Sequence, residues 1–244
     1  MNAQRDLEGV SALVTGATSG IGRAAAEELA RHGAEVVVHG RDHDRGSTVV
    51  GTITADGGKA RFVAADLSDP AQLDDLVGHA GPIDVLVNNA GFSWFGPTAD
   101  LDVATFDRLF AANVRAPYFL VAALAPEMAA RGSGSIVNIA SMAGEIGLAG
   151  GAAYGATKAT LVSMTRSWAA EFSPAGVRVN AIVAGPVLTA GAAPERIEAL
   201  GATTLLSRAA QPGEIAEVIA FLASPKSSYV TGAVFAADGG RTAI

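Results

Sequence analysis

Short apolar, β-branched runs alternate with longer helical patterns along this whole chain, and that alternation leaves few folds open to it. Val10–Thr15, Glu35–His39, Ala60–Ala64, Ile83–Val87, Ser135–Ala140, Val177–Val183 and Ala233–Ala236 read as strands. Ile21–His32 reads as a helix stopped at Gly33, and another helical stretch runs to Asp56 before Gly57-Gly58. Asp69-Pro70 opens a third, with aspartate as cap and proline in the first turn. Two longer helices are predicted over Val103–Ala130 and Ala152–Phe172. Runs such as Val36-Val37-Val38 lack the polar alternation of a half-exposed strand and suit a parallel sheet covered on both faces. The expected class is α/β: one doubly wound domain, with a mostly parallel seven-stranded sheet flanked by helices.

Half of the 244 residues are hydrophobic and 17% are charged, enough for one large core. Neither a linker nor an internal repeat interrupts the pattern, so residues 1–244 are expected to form a single domain with a short tail over 1–8. A formal charge of −7 argues against nucleic acid, which needs a basic face. With no cysteine, disulfides, thiol catalysis and thiolate metal sites are excluded, and no metal is expected. The polar start MNAQRDLEG lacks the apolar core of a signal peptide. The longest uncharged apolar stretch, Ala116–Pro126, is short of the ~18 residues of a membrane span. A cytoplasmic protein without a membrane partner is the expectation.

In an open parallel sheet, ligands bind beyond the carboxyl ends of the strands. There the first strand ends in Thr15-Gly16-Ala17-Thr18-Ser19-Gly20-Ile21-Gly22 and runs into a helix. Glycines permit a tight turn and close backbone approach to a pyrophosphate, and the helix start offers unpaired N–H groups to the anion. The G-x-x-x-G-x-G spacing departs from G-x-G-x-x-G, and a glycine-rich turn with no ligand is the plainer alternative. Tyr154 and Lys158 lie four apart on a predicted helix and share a face. A neighbouring ammonium favours the phenolate, making an otherwise weakly acidic tyrosine a usable proton donor or acceptor. Ser141 directly follows a strand, at the end where ligands bind. Singly, a surface Tyr–Lys pair and a turn serine are the commoner meanings; their conjunction points to chemistry.

TGATSGIG, Asn88-Asn89-Ala90-Gly91, Ser141, Tyr154-Gly155-Ala156-Thr157-Lys158, Tyr229-Val230-Thr231-Gly232 and Asp238-Gly239-Gly240 follow one another in a recognisable order. In that order and spacing, over essentially its whole length, the chain resembles the short-chain dehydrogenase/reductase family, and among its members the 3-oxoacyl-carrier-protein reductase-like carbonyl reductases. The resemblance implies a Rossmann-fold oxidoreductase that moves a hydride between a nicotinamide cofactor and a ketone or secondary alcohol. Tyr154 would then be the acid in reduction and the base in oxidation. Lys158 would lower its pKa and hold the nicotinamide ribose, Ser141 would polarise the carbonyl, and Asn113 would hold a water in a proton relay. Cofactor contacts would come from Gly16, Ser19, Gly20, Ile21, Gly22, Asp66, Leu67, Asn89, Gly91, Gly185, Val187 and Thr189, besides Tyr154 and Lys158. Ala184 stands where the family usually has proline, which questions the rigidity of that loop.

Two signals compete over the cofactor. Asp42, about 20 residues beyond the last glycine, favours NAD; strand alignment instead puts Gly40 at the acidic position with Arg41 next, which favours NADP. NADP(H) is the preferred reading, with Arg41 on the 2′-phosphate and NAD(H) possible; pairing of Arg41 with Asp42 or Asp44 is the plainer alternative. Phe92, Trp94 and Phe95 after the asparagine motif, and Glu145-Ile146 after the serine, are candidates to line a substrate pocket, with Trp94, Glu145 and Ile146 as its contacts. Ala190–Leu206 resembles the family's substrate lid. The resemblance also implies a homotetramer or dimer paired through the two long helices. An acyl-carrier-protein partner would want a basic patch, to which Arg131 and Arg178 are candidates to contribute. The competing function is a non-catalytic dinucleotide sensor on the same fold.

Overall fold

A computed structural model describes residues 5–190 and 193–244. Its strands are β1 (Ser11–Val14), β2 (Glu35–Gly40), β3 (Lys59–Ala64), β4 (Val85–Asn88), β5 (Gly134–Ser141), β6 (Val177–Ala184) and β7 (Val234–Ala237). They form one sheet in the order β3-β2-β1-β4-β5-β6-β7, every pair parallel. The predicted seven strands are all present, each end within two residues of expectation, and the sheet is wholly rather than mostly parallel. Strand order reverses between β1 and β4, so their carboxyl ends open the crevice in which such sheets bind ligands.

The helices are α1 (Gly20–Arg31), α2 (His43–Ala55), α3 (Pro70–Ala80), α4 (Val103–Phe110), α5 (Ala116–Arg131), α6 (Ala152–Phe172), α7 (Pro194–Gly201) and α8 (Pro212–Ala223). One apolar layer joins α1, α2 and α8 to the sheet through Leu29, Val49, Ile53, Ile215 and Ile219. The other joins α3, α5 and α6 through Leu76, Leu120, Leu124, Leu161 and Trp168. Coverage on both faces explains why the central strands are uninterrupted apolar runs: β4 is buried throughout, and β5 through its six inner residues. The edge strands β3 and β7 are only partly covered.

Three expectations are revised. Leu7 is not in a tail: its side chain is fully buried, and its amide donates to the His32 carbonyl at 2.9 Å. The helix expected over Val103–Ala130 is two helices joined by a π-turn, Ala111–Arg115. Pro117 accounts for the break, since it has no N–H for the Asn113 carbonyl four residues back and its ring crowds that carbonyl. The helix widens there, and the Ala116 amide bonds to Ala111 instead. The run Val103–Arg131 is long and apolar enough to cross a bilayer, but Ala116, Leu120, Val121, Leu124, Ala125 and Met128 lie buried in the core. Thirdly, the stretch Ala190–Leu206, expected only as a lid, contains the helix α7, and α8 follows it with its start at Gln211-Pro212-Gly213-Glu214, where Glu214 accepts the Gln211 amide at 2.8 Å.

Leu29 of α1 is fully buried among α8 side chains. Leu29→Ala is expected to lower unfolding free energy by about 2–5 kcal/mol in urea titrations. A loss below about 1 kcal/mol would mean that α1 is not seated as described.

Candidate active site

The crevice is organised by the Thr15 hydroxyl, which follows β1. It donates to Val87 O at 3.1 Å and accepts the amides of Asn89 and Ala90, both at 3.0 Å. These bonds use the full capacity of a hydroxyl and tie the ends of β1 and β4 together. Asn89 adds its side-chain amide, which donates to Thr15 O at 2.9 Å and Gly16 O at 3.2 Å. Gly16 lies at φ 63° and Gly20 at φ 55°. At Gly22 a Cβ would stand 2.3 Å from both Asn89 Nδ2 and Gly16 O, so α1 reaches the turn only because this residue has no side chain.

The start of α1 differs from its neighbours. Helices α2, α3 and α4 are capped by Asp42, Asp69 and Asp102. At α1, Ser19 makes no side-chain capping bond, and no acid occupies the first turn. Unpaired N–H donors and the positive end of the helix dipole therefore face the crevice, as a pyrophosphate requires. Thr189 packs over Gly20, placing the Gly185–Thr189 loop above this turn. Despite Ala184, that loop is held: Gly185 N–H donates to Ala237 O at 3.0 Å, and around Val187 the Leu188 N–H donates to Ala210 O and the Ala210 N–H to Pro186 O, both at 2.9 Å.

Beneath the turn lies His39, which the sequence reading did not single out. Its Nδ1 accepts the Gly16 amide at 3.2 Å, its Nε2 donates to Ala65 O at 3.1 Å, and its own carbonyl accepts from Ala17 at 2.8 Å. These partners require the neutral Nε2–H tautomer. Burial pulls the imidazole down to about 4, against the opposing pull of the Ala65 carbonyl. The signal in the sequence is one polar residue in the otherwise apolar run Val36–Gly40.

At the far end of β2 the polar groups divide. Asp42 is committed to α2, accepting from the Arg45 amide and Nε, both at 3.0 Å. Arg41 is largely exposed, with Asp66 its nearest carboxylate at 3.9 Å. Asp66 in turn accepts the amide and hydroxyl of Ser68, which hold its carboxyl below the usual range. A Cβ on Gly40 would stand 2.4 Å from Thr18 Cγ2, so a side chain at this position would require Thr18 to shift. The Leu67 side chain is buried in the core rather than turned to the crevice.

Ser141, Tyr154 and Lys158 converge at the end of β5. Asn138 links β4 to α6, accepting from Asn88 and donating to Thr165, both at 2.8 Å. A Cβ on Gly155 would lie 2.4 Å from Ala143 O, so α6 closes on the turn after Ser141 through a missing side chain. Tyr154 thereby meets Ser141: burial pushes the phenol up, and the hydrogen bond with Ser141 opposes that. Lys158 Nζ lies 5.8 Å from the Tyr154 ring centroid and donates to Ile139 O at 2.8 Å; burial pulls it down to about 8. The phenol is thus held in its protonated form, where the expectation had the ammonium lowering it. Asn113 sits on the π-turn, its side chain exchanging bonds with Phe92 and donating to Thr157 at 3.1 Å. Gly91 leaves room for it.

Of the pocket candidates, Phe95 is the one against the site: its ring lies 5.6 Å from that of Tyr154. Trp94 folds back over Gly96, Glu145 is exposed and Ile146 half-buried. In the region expected to be a lid, residues 191–192 lie outside the described residues, and α7 carries Arg196 over the Phe95 ring at 4.0 Å. Arg131 and Arg178 are not beside the pocket. Arg131 donates to Ile83 O just before β4, and Arg178 is near the start of β6, bonded to Ser227 and Ser224. Both lie at the amino ends of the strands, opposite the site. A cavity of about 420 Å³ lined by Pro186, Leu205, Leu206, Asp238, Gly239 and Gly240 also holds none of Ser141, Tyr154 and Lys158.

Comparison with known proteins agrees with this geometry. Residues 16–242 match the family described as enoyl-(acyl carrier protein) reductase. The chain is 39% identical to cis-4-hydroxycyclohexanecarboxylate dehydrogenase of Sinomonas cyclohexanicum, covering 96% of each. A solved short chain dehydrogenase/reductase family protein is 51% identical, with TM-score 0.91 over 98% of this chain and 100% of the other. A blue fluorescent protein from a metagenomic library, solved with NADPH, is 37% identical, with TM-score 0.91 over 97% and 99%.

His39 gives a pH signature. Its folded pKa lies below the unfolded value of 6.5, so the unfolded chain takes the proton first and stability falls as pH drops from about 6.5 to about 4. Urea titrations of the native chain and His39→Asn are expected to show a stability gap that narrows on acidification, by up to about 3 kcal/mol. A gap independent of pH would contradict a buried neutral imidazole.

Proposed function

Because the chain belongs to the short-chain dehydrogenase/reductase family, we propose that it is an NADPH-dependent carbonyl reductase, with Ser141, Tyr154 and Lys158 as its catalytic groups. The observation that carries this reading is the meeting of the three side chains where β5 and α6 close together. The bound dinucleotide supplies the hydride in reduction and takes it up in oxidation. The uncapped start of α1 and the glycine turn bind its pyrophosphate. Lys158, charged below about 8, holds the ribose hydroxyls and favours negative charge on the phenol as the proton leaves. Ser141 donates a hydrogen bond to the substrate oxygen and orients it. Tyr154, protonated at neutral pH, gives its proton to that oxygen in reduction and takes it back in oxidation. The widened turn at Pro117 holds Asn113 behind Lys158 for a water-mediated proton relay.

NADP over NAD is supported by Arg41, exposed at the end of β2, together with the closure of Gly40 by Thr18 and the use of Asp42 as a helix cap. The substrate class is a ketone or secondary alcohol, and the relative's name brings carboxylated rings into consideration. The opposite placement of Arg131 and Arg178 removes the support those residues lent to a carrier-protein partner. We further propose one domain over residues 1–244, with α7 in the role of a substrate lid. We also propose a homotetramer or dimer, supported by Phe106, Tyr118 and Phe119, which leave apolar surface exposed on α4 and α5.

Turnover is to be followed at the nicotinamide absorbance over a panel of ketones, acyl thioesters and keto-sugars. Tyr154→Phe is expected to reduce it by about 10²–10⁴-fold while dinucleotide affinity stays within a few-fold. Substantial residual turnover would remove Tyr154 from the proton step. Binding of NADPH without turnover on any of the panel would favour a dinucleotide sensor. Arg41→Ala is expected to weaken NADPH by about 10–100-fold and NADH little. Equal losses would return Arg41 to a surface role.

A further inference from the structure

Arg196 on α7 lies over the Phe95 ring, its Cζ 4.0 Å from the centroid, and Phe95 in turn packs against Tyr154 at 5.6 Å between ring centroids. One aromatic ring therefore separates a guanidinium from the phenol assigned to the proton step. A guanidinium held over a ring in this way still has N–H donors to offer an anion. Among the described residues no carboxylate lies within 4.0 Å of Arg196; Arg61, Arg115 and Arg178 also lack one but are spent on backbone carbonyls or a serine, whereas the contact of Arg196 is the Phe95 ring. Glu195 and Glu198 on the same helix and Glu145 across the pocket are the nearby acids by sequence and placement, and none of them pairs with it.

We propose that Arg196 receives an anionic group of the substrate, so that the preferred substrates are ketones or secondary alcohols bearing a carboxylate away from the reacting carbon. This deepens the reductase reading and rests on it for the reacting end. A planar carboxylate matches the guanidinium in a two-bond fork, and the Phe95 ring beneath covers one face of the otherwise exposed Arg196. Binding such a substrate would also hold α7 over the pocket. Arg196 is thus a specificity residue, acting on the far end of the substrate and not on the proton.

The test uses the full chain and two ketones that differ in charge, 4-oxocyclohexanecarboxylate and its methyl ester. It is paired with calorimetric binding of unreactive cyclohexanecarboxylate in the presence of NADP. The native protein is expected to prefer the acid over the ester by at least about 10-fold in kcat/KM. Arg196→Gln is expected to remove that preference through KM, with the ester within about 3-fold of native, and Arg196→Lys to restore part of it. Equal losses on both ketones would overturn the proposal in favour of a packing role for Arg196. Native preference for the ester would overturn it too. Turnover of the ester without charge preference defeats this inference and leaves the reductase reading standing. Absence of turnover together with Arg196-dependent carboxylate binding does the reverse. Absence of both turnover and carboxylate binding overturns the inference as well.

Discussion

One hydroxyl, that of Thr15, holds the crevice open at its floor. Wherever a parallel sheet reverses its strand order, the helices of the two flanking crossovers leave in opposite directions and the chain parts between them. Thr15 spans that gap by donating to β4 and accepting two amides beyond it. The glycine turn, Asn89 and the start of α1 are all placed by reference to those bonds. A valine of the same size would keep the packing but leave the half-buried Ala90 amide without this acceptor and Asn89 with only its bond to Val87 O, the costlier half of losing a hydrogen bond.

A second set of constraints works through absent side chains. Gly22 lets α1 meet the turn, Gly155 lets α6 meet the Ser141 turn, and Gly144 receives the backbone of Lys158 and Ala159. Ser141, Tyr154 and Lys158 are thus positioned by backbone contact, which is stiffer than contact through rotatable side chains. The polar ladder Asn88–Asn138–Thr165 does the same work inside the sheet, where each satisfied bond fixes the register of α6 against β5.

How much of this was legible depended on whether a feature is local. Strands buried on both faces announce themselves as apolar runs, and their order of appearance is enough for the doubly wound class. Residues whose spacing is set within one element, such as Tyr154 and Lys158, can be placed on a common face without any coordinates. The pairing of Arg196 with Phe95 joins segments about a hundred residues apart, and nothing near either residue signals it. Arg131 and Arg178 were misplaced because composition does not say at which end of a strand a flanking residue falls. The π-turn was foreshadowed by Pro117, whose effect falls four residues earlier, on Asn113. Leu7 was overlooked because one apolar residue in a polar opening carries no periodicity. The direction in which the Tyr154 phenol is shifted was not legible either, since burial of the ring outweighs the hydrogen bond with Ser141, and the Lys158 ammonium is turned to the Ile139 carbonyl.

The contact between Gly40 and Thr18 has a consequence for how such a protein can change. With 2.4 Å between Thr18 Cγ2 and the first atom of any side chain at position 40, a larger residue there requires Thr18 to shift or to become smaller. The two positions are coupled across the crevice although they are 22 apart in the chain. A change at the end of β2 is therefore not independent of the glycine turn: what residue 40 can become depends on what residue 18 already is.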